Sequence, residues 1–196
     1  VRPCTNSFKA LEASLAASPE AYAAAALPAT GRTRRSWATR LIHESWLSGN
    51  LYALSAATIA RFRREDLRLP IGAYGEDGLL SYIFVTEFRG GKDDSHRQRI
   101  AVSDDALFEF DSLGASARDL QTYRNRLRRY SQRYFQNEIL YRLLKAGGVA
   151  AMPAHVNEIF TLDNLAPLRP RLDPQFFLPD RATLKRLLAA ARKEAA

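Results

Sequence analysis

Hydrophobic residues recur at helical spacing in some stretches of the chain and form short runs bounded by turn residues in others. The helical spacing predicts helices over residues 5–17, 36–47, 55–64, 76–88 and 116–146, with a last helix capped by Asp180. The short apolar runs predict strands over residues 22–27, 51–54, 99–102 and 106–110, and a polar turn over residues 89–95. Because helical and strand patterns are interleaved along the chain, the sequence predicts an α/β fold.

The longest helical pattern runs from Ser116 to about Ala146 and combines an apolar stripe with an excess of arginine. Alternating spacings of three and four predict one continuous buried stripe, formed by Leu120, Tyr123, Leu127, Tyr130 and Tyr134. Between Arg118 and Lys145 there are eight Lys or Arg and two acidic residues, which accounts for most of the net charge of +8. If the protein has an anionic partner, we expect it to bind here.

Composition places the 196-residue chain among ordinary globular proteins, with 46% hydrophobic and 26% charged residues. Neither a membrane-spanning apolar run nor a basic-then-apolar leader pattern occurs in the sequence. The one cysteine, Cys4, excludes an internal disulfide and fits a reducing compartment. Together these features predict a cytoplasmic location. The histidines (His43, His96 and His155) are too far apart in sequence for a metal-ligand motif.

Two adjacent carboxylates, Glu76 and Asp77, follow a loop rich in Pro and Gly where a helix is predicted to begin. A carboxylate at this position interacts favourably with the helix dipole, by about 0.3–1 kcal/mol, and needs no catalytic role to occur there. The same position holds a carboxylate firmly near the end of a packed helix, which suits a general base. The sequence leaves both interpretations open.

Three short motifs occur in a characteristic order. They are Gly49–Leu54, which reads Gly-Asn-Leu-Tyr-Ala-Leu; Gly75–Leu80, which reads Gly-Glu-Asp-Gly-Leu-Leu and follows Arg-Leu-Pro at 68–70; and Arg126–Tyr130, which reads Arg-Leu-Arg-Arg-Tyr. In this order they resemble the C-terminal half of the catalytic domain of a family 2 glycosyltransferase with the GT-A fold. The resemblance covers residues 1–134. The last motif is Gln-x-x-Arg-Trp in that family, and this departure argues against a processive, polymer-making enzyme.

The resemblance implies an inverting transfer of a sugar from a nucleotide-sugar donor to a hydroxyl acceptor on a glycan or a lipid-linked molecule. In that family the carboxylate matching Asp77 is the general base, and the one matching Glu76 orients the base or the acceptor. Gly49 and Tyr52 would bind substrate, although both residues could also simply shape the end of a strand.

Arg126, Arg129 and Tyr130 match the family's last motif. The resemblance implies that the two arginines bind the phosphates of the departing nucleotide, because guanidinium groups match phosphate geometry. It implies that Tyr130 stacks on a sugar face. The alternatives are a solvated helix face for Arg126 and Arg129, and core packing for Tyr130.

The resemblance also implies the domain organisation and the missing parts. Residues 1–112 would form the acceptor-side half of the catalytic domain, with a mixed sheet and flanking helices. Residues 113–196 would add the basic long helix, a Pro-rich segment and a C-terminal amphipathic helix. The chain would begin just after the Asp-x-Asp metal motif, so the ligands of the expected Mg or Mn ion lie outside it. We therefore expect the isolated chain to be inactive, and strands 22–27 and 51–54 to belong to a sheet whose other members lie upstream.

An alternative function is a phosphate- or nucleic-acid-binding module that uses the Arg-rich helix over residues 118–145. Helix-turn-helix, zinc and RNA-recognition signatures are missing from the sequence, which argues against nucleic acid as the partner. The last helix has a leucine face and a basic face, which would suit peripheral contact with an anionic membrane surface.

Overall fold

The computed structural model describes residues 1–91 and 96–194. Within these residues the chain forms seven α-helices and a four-stranded mixed sheet, so it is a mixed α/β protein. The polar turn predicted over residues 89–95 falls largely outside the described residues. The strands are β1 (Arg2–Pro3), β2 (Ala23–Pro28), β3 (Tyr52–Leu54) and β4 (Ile100–Glu109). The helices are α1 (Ser7–Ala17), α2 (Arg34–Glu44), α3 (Ala56–Arg64), α4 (Glu76–Val85), α5 (Ala117–Gly147), α6 (Leu162–Leu165) and α7 (Phe177–Glu194).

The chain divides into two compact units. The sheet unit contains Val1–Arg68, Gly75–Ser112 and Gly147–Ala150, and so holds all four strands and helices α1 to α4. The helical unit contains Leu69–Tyr74, Leu113–Ala146 and Ala151–Ala196, and so holds α5 to α7.

Strand β2 lies inside the sheet of the sheet unit, whose strand order is β1-β4-β2-β3. It pairs antiparallel with β3 and parallel with β4. The expectation that the other members of this sheet lie upstream is therefore wrong for β2, because both of its neighbours, β3 and β4, belong to the chain itself. Both edge strands are short, with two residues in β1 and three in β3.

All six residues of β2 are buried, although four of them are alanines, which are poor strand formers. Their small side chains lie in a core that also includes Leu11 of α1, Phe108 of β4, and Leu51, which directly precedes β3. Trp37 of α2 packs edge-on against the Phe108 ring, with 5.5 Å between ring centroids. Burial between helices and neighbouring strands thus outweighs the weak strand propensity of alanine.

Strand β4 is one continuous strand, and the prediction of two short strands over residues 99–102 and 106–110 is wrong. Its pairing with β2 shifts register between Ala26, which lies opposite Ser103, and Leu27, which lies opposite Leu107. The intervening residues form an irregularity in which two exposed aspartates, Asp104 and Asp105, project from the strand. The two aspartates interrupt the hydrophobic pattern of the sequence, so one strand was predicted as two.

The buried face of α5 differs from the predicted stripe. Leu120 is 60% exposed, and Tyr123 and Tyr130 are 40% and 41% exposed. The buried side chains lie in the C-terminal part of the helix and are Ser131, Phe135, Gln136, Ile139, Leu140 and Leu144. The prediction of one continuous buried stripe is therefore wrong, because regular spacing along a helix does not ensure that another element covers its whole length.

Asp180 lies inside α7 and is not its cap, as the sequence had suggested, because the helix already begins at Phe177. Its side chain is fully buried and accepts two hydrogen bonds from the guanidinium group of Arg171, both of 2.8 Å. That guanidinium lies over the rings of Tyr134 and Phe176, at 4.6 and 3.9 Å from the ring centroids. Asp180, in the first turn of α7, thus holds Arg171 of the preceding loop in place.

Of the helices in the described part of the chain, none has the length and apolar character needed to cross a membrane.

Candidate functional site

Helix α4 of the sheet unit places two carboxylates at its N-terminus. The N-cap residue is Gly75, which adopts a left-handed conformation with φ of 69°, so Glu76 and Asp77 occupy the first turn. The opposite face anchors the helix, since Leu79, Leu80, Ile83 and Phe84 are all buried. Glu76 is exposed and Asp77 is half-buried, so both head groups stay near solvent on a fixed helix end.

Asp77 is held by the loop that precedes β3. The backbone N–H of Gly49 donates a hydrogen bond of 3.1 Å to Asp77 Oδ2. One turn further along α4, Ser81 Oγ donates to the backbone carbonyl of Asp77 and accepts from the N–H of Leu47, at 2.6 and 2.9 Å. Two hydrogen-bonded connections therefore fix the 47–49 segment against the start of α4.

Tyr52 lies in β3, close to the same carboxylates. Partial burial, followed by the negative charges of Glu76 and Asp77, raises the pKa of the Tyr52 phenol above its ordinary value of 10.0. The phenol therefore remains protonated at neutral pH and can donate a hydrogen bond. Glu76 and Asp77 thus lie near enough to Tyr52 to influence its phenol electrostatically.

The structure thus brings Gly49, Tyr52, Glu76 and Asp77 together in the sheet unit, although they come from segments more than twenty residues apart. Chemically, this group offers a carboxylate fixed by a backbone donor, a second exposed carboxylate and a phenol donor. Such a set can accept a proton from a bound hydroxyl group and orient that hydroxyl.

Arg126 and Arg129 lie in the helical unit, one turn apart on α5. They line a cavity of about 570 Å³ together with Arg128, Arg186 of α7 and the Gln132 amide. Arg186 donates a hydrogen bond of 2.9 Å to Gln132 Oε1, which fixes its guanidinium at the cavity. Four guanidinium groups at one cavity make it a candidate site for a phosphate or another anion.

Tyr130 is not among the residues that line this cavity. Its side chain is 41% exposed, so the core-packing alternative for Tyr130 is wrong. Its predicted contact with a sugar stays a prediction.

Two residues of these sites were not singled out as functional from the sequence. Ser81 is a buried polar residue on the apolar face of α4, and that break in the apolar pattern is a signal for a structural hydrogen bond. Arg186 gave no such signal, because it is one of several basic residues on the last helix.

Within residues 1–91 and 96–194, no group of three or more His, Cys, Asp or Glu side chains is arranged to hold a metal ion.

Comparison of the chain with protein-family models, with curated proteins and with solved structures gives no match in any of the three.

Proposed function

We propose that the chain carries the acceptor side of an inverting, nucleotide-sugar-dependent glycosyltransferase of the GT-A type, with Asp77 as the general base. The observation that supports this most directly is the hydrogen bond from the Gly49 N–H to Asp77 Oδ2. It joins two of the motifs on which the family resemblance rests, and it fixes the carboxylate that the reaction requires.

In the proposed reaction the acceptor hydroxyl oxygen attacks the anomeric carbon of the donor sugar. The new C–O bond forms as the bond to the nucleoside diphosphate breaks, and the diphosphate leaves with the bonding electron pair. The hydroxyl proton passes to the Asp77 carboxylate, which must lie about 2.6–3.2 Å from the attacking oxygen. Glu76, in the same helical turn, orients the base or the acceptor.

Tyr52 fits this reaction as a hydrogen-bond donor. Because burial and the two carboxylates raise its pKa, the phenol keeps its proton throughout the neutral range. It can therefore donate to the acceptor oxygen or to a carboxylate without competing for the proton that Asp77 receives.

The test is sugar transfer by the natural protein that contains this chain, assayed with a panel of nucleotide sugars and hydroxyl acceptors. Asp77→Asn should lower kcat by about 10²- to 10⁴-fold, because the amide cannot accept the proton. Asp104→Asn is the matched control, since Asp104 is an exposed aspartate of the same unit and lies on β4. Undiminished transfer by Asp77→Asn would exclude Asp77 as the base, and the absence of transfer from every donor tested would refute the enzyme proposal.

A second candidate function is a phosphate- or nucleic-acid-binding module, and one observation favours it. Arg126, Arg128, Arg129 and Arg186 line a single cavity in the helical unit. If this is the function, the protein should bind an oligonucleotide, and the logarithm of the binding constant should fall linearly with the logarithm of the salt concentration, because binding releases counterions. Salt-dependent oligonucleotide binding by the natural protein, with no transfer activity, would favour the module over the enzyme.

A further inference from the structure

Helices α5 and α7 of the helical unit form a second cavity, of about 510 Å³, next to the arginine-lined one. Arg128 and Arg186 line both cavities, so the two are adjacent at these side chains. The two cavities together are called the α5–α7 groove below. It has a cationic part, at Arg126 and Arg129, and a mixed part beyond Arg128 and Arg186.

The mixed part of the groove has an aliphatic lining. From α5 it receives Leu127, and from α7 it receives Leu178, Pro179 and Ala182. Leu178 is 70% exposed, so its aliphatic side chain faces water beside the shared arginines. A hydrocarbon group placed there would gain from removing this surface from water.

The charged residues that line the groove are all positive. None of the residues that line its two parts is acidic, and five are arginines: Arg124, Arg126, Arg128, Arg129 and Arg186. In the part of the chain that the structure describes, these arginines form no ion pair with Asp or Glu, and the Arg186 guanidinium is fixed by the neutral Gln132 amide instead. The charge therefore remains uncompensated within the groove and favours an anionic ligand.

The aliphatic and cationic linings together specify the ligand. A free phosphate would use the arginines and leave Leu127 and Leu178 in water. A nucleic acid would use the arginines for its phosphates, and a single strand would also use aromatic rings for base stacking. The apolar lining beyond Arg128 consists of Leu, Pro and Ala and would contribute to neither. A molecule with a phosphate head and a hydrocarbon tail uses both linings.

We propose that the α5–α7 groove binds an anionic amphiphile, with its phosphate head at Arg128 and Arg186 and its hydrocarbon tail against Leu127 and Leu178. The proposal does not rest on the sugar-transfer activity. Such a ligand would bring this side of the helical unit to a membrane surface that contains phosphate-headed lipids.

The test is calorimetric binding to the full chain, with dodecyl phosphate below its micelle concentration as the probe. Inorganic phosphate provides the head alone, dodecyl maltoside provides a tail without the anion, and a single-stranded oligonucleotide provides phosphates without a tail. We expect dodecyl phosphate to bind at least about ten-fold more tightly than inorganic phosphate or dodecyl maltoside, because the tail and the head each add free energy.

Two variants separate the linings. Leu178→Ser should weaken dodecyl phosphate binding by about ten-fold and leave inorganic phosphate binding unchanged. Arg128→Gln should weaken both by about ten-fold. The controls are Leu172→Ser and Arg181→Gln, which change exposed residues of the same unit that do not line the groove.

Three outcomes would overturn the proposal. The first is equal affinity for dodecyl phosphate and inorganic phosphate, which would leave an anion site only. The second is displacement of dodecyl phosphate by the oligonucleotide at equal concentration, which would identify a nucleic-acid site. The third is an equal loss in Leu172→Ser and Leu178→Ser, which would place the tail elsewhere.

Discussion

Gly49 lies so close to the Asp77 carboxylate that a Cβ atom on Gly49 would be 2.9 Å from Asp77 Oδ2 and 3.0 Å from its Cγ. Its backbone is not in the left-handed region, so glycine is required here for the close approach and not for its φ angle. Any side chain at this position would displace the carboxylate proposed as the general base.

Gly49→Ala should therefore reduce the proposed sugar transfer without unfolding the protein. The shift needed to relieve the contact is smaller than the displacement of about 1 Å that can cost about 10²-fold in rate, so we expect a loss in kcat of roughly ten-fold. The measurement is transfer rate together with thermal unfolding, in the natural protein that contains this chain.

Gly114→Ala is the matched control for Gly49→Ala. A Cβ on Gly114 would lie 3.0 Å from Asp119 Oδ2, so this variant makes a similar displacement in the helical unit. Equal rates for Gly49→Ala and wild type would show that the position of the Asp77 carboxylate does not limit transfer.

The electrostatic link between Tyr52 and the two carboxylates has a direct readout that needs no substrate. Neutralising either carboxylate should lower the pKa of Tyr52, and Glu76→Gln should lower it more than Asp77→Asn because Glu76 has the larger influence. Burial is the largest cause, so the pKa should remain above its ordinary value in both variants. NMR titration of tyrosine labelled at the ζ carbon measures this. Glu65→Gln, an exposed change on the same unit, should leave it unmoved.

The ion pair between the buried Asp180 and the partly exposed Arg171 should stabilise the helical unit. Asp180→Asn removes the counter-charge of the guanidinium group, and loss of hydrogen bonds to a charged group typically costs about 1.5–3 kcal/mol. Urea denaturation measures the loss. Asp163→Asn, which changes an exposed aspartate at the start of α6, should stay within about 0.5 kcal/mol of wild type. A similar small effect for Asp180→Asn would contradict a structural role for the pair.

The same pair predicts an acid-sensitive component of stability. Burial is the largest single influence and tends to raise the pKa of Asp180, but the hydrogen bonds from Arg171 and Ser131 and the positive charge of Arg171 together outweigh it and hold that pKa below its ordinary value of 3.8. A depressed pKa in the folded state means that the stabilisation is complete above pH 3.8 and is lost as the pH falls through the folded-state pKa. Denaturation at a series of pH values should show this loss in wild type and a smaller loss in Asp180→Asn. Parallel curves for the two proteins would show that another group causes the acid sensitivity.

Helix α3 offers a test of local capping. Ser55 is its N-cap residue and accepts a hydrogen bond from the N–H of Thr58. Ser55→Ala should lower the free energy of unfolding by about 1 kcal/mol, whereas Ser55→Asn should retain most of it, because Asn is an equally good N-cap. Equal losses in both variants would indicate that packing around Ser55, and not the cap, is what matters.

Features set by neighbouring residues could be predicted from the sequence. Ser55 was predicted as the start of α3 and is its N-cap, and the predicted start of α4 after the Pro/Gly loop is also confirmed. Both depend on interactions within one helical turn. The helical spacing that predicts α4 is formed by residues that the structure buries, among them Leu79, Leu80, Ile83 and Phe84.

Features set by distant residues could not be predicted. Leu120 and Tyr130 continue the apolar spacing of α5, and only the packed structure shows that they are exposed. Asp180 has the sequence context of a helix cap, but Arg171 is its partner across a loop. The contact between Gly49 and Asp77 joins positions 28 residues apart, so it could not be predicted from the residues next to either of them.

The six residues Leu69–Tyr74 belong to the helical unit although the chain on both sides of them belongs to the sheet unit. They are hydrogen-bonded there, since Gln136 pairs with both backbone groups of Tyr74, and Ile71 pairs with Ala154 and Val156. Because Gly147–Ala150 likewise returns to the sheet unit, no single cut in the chain separates the two units. A truncation at the end of β4 would remove Gly147–Ala150 from the sheet unit. It would also leave Leu69–Tyr74 without the rest of the helical unit. Pieces of this protein that end between two of these segments are therefore expected to be poor substitutes for the whole.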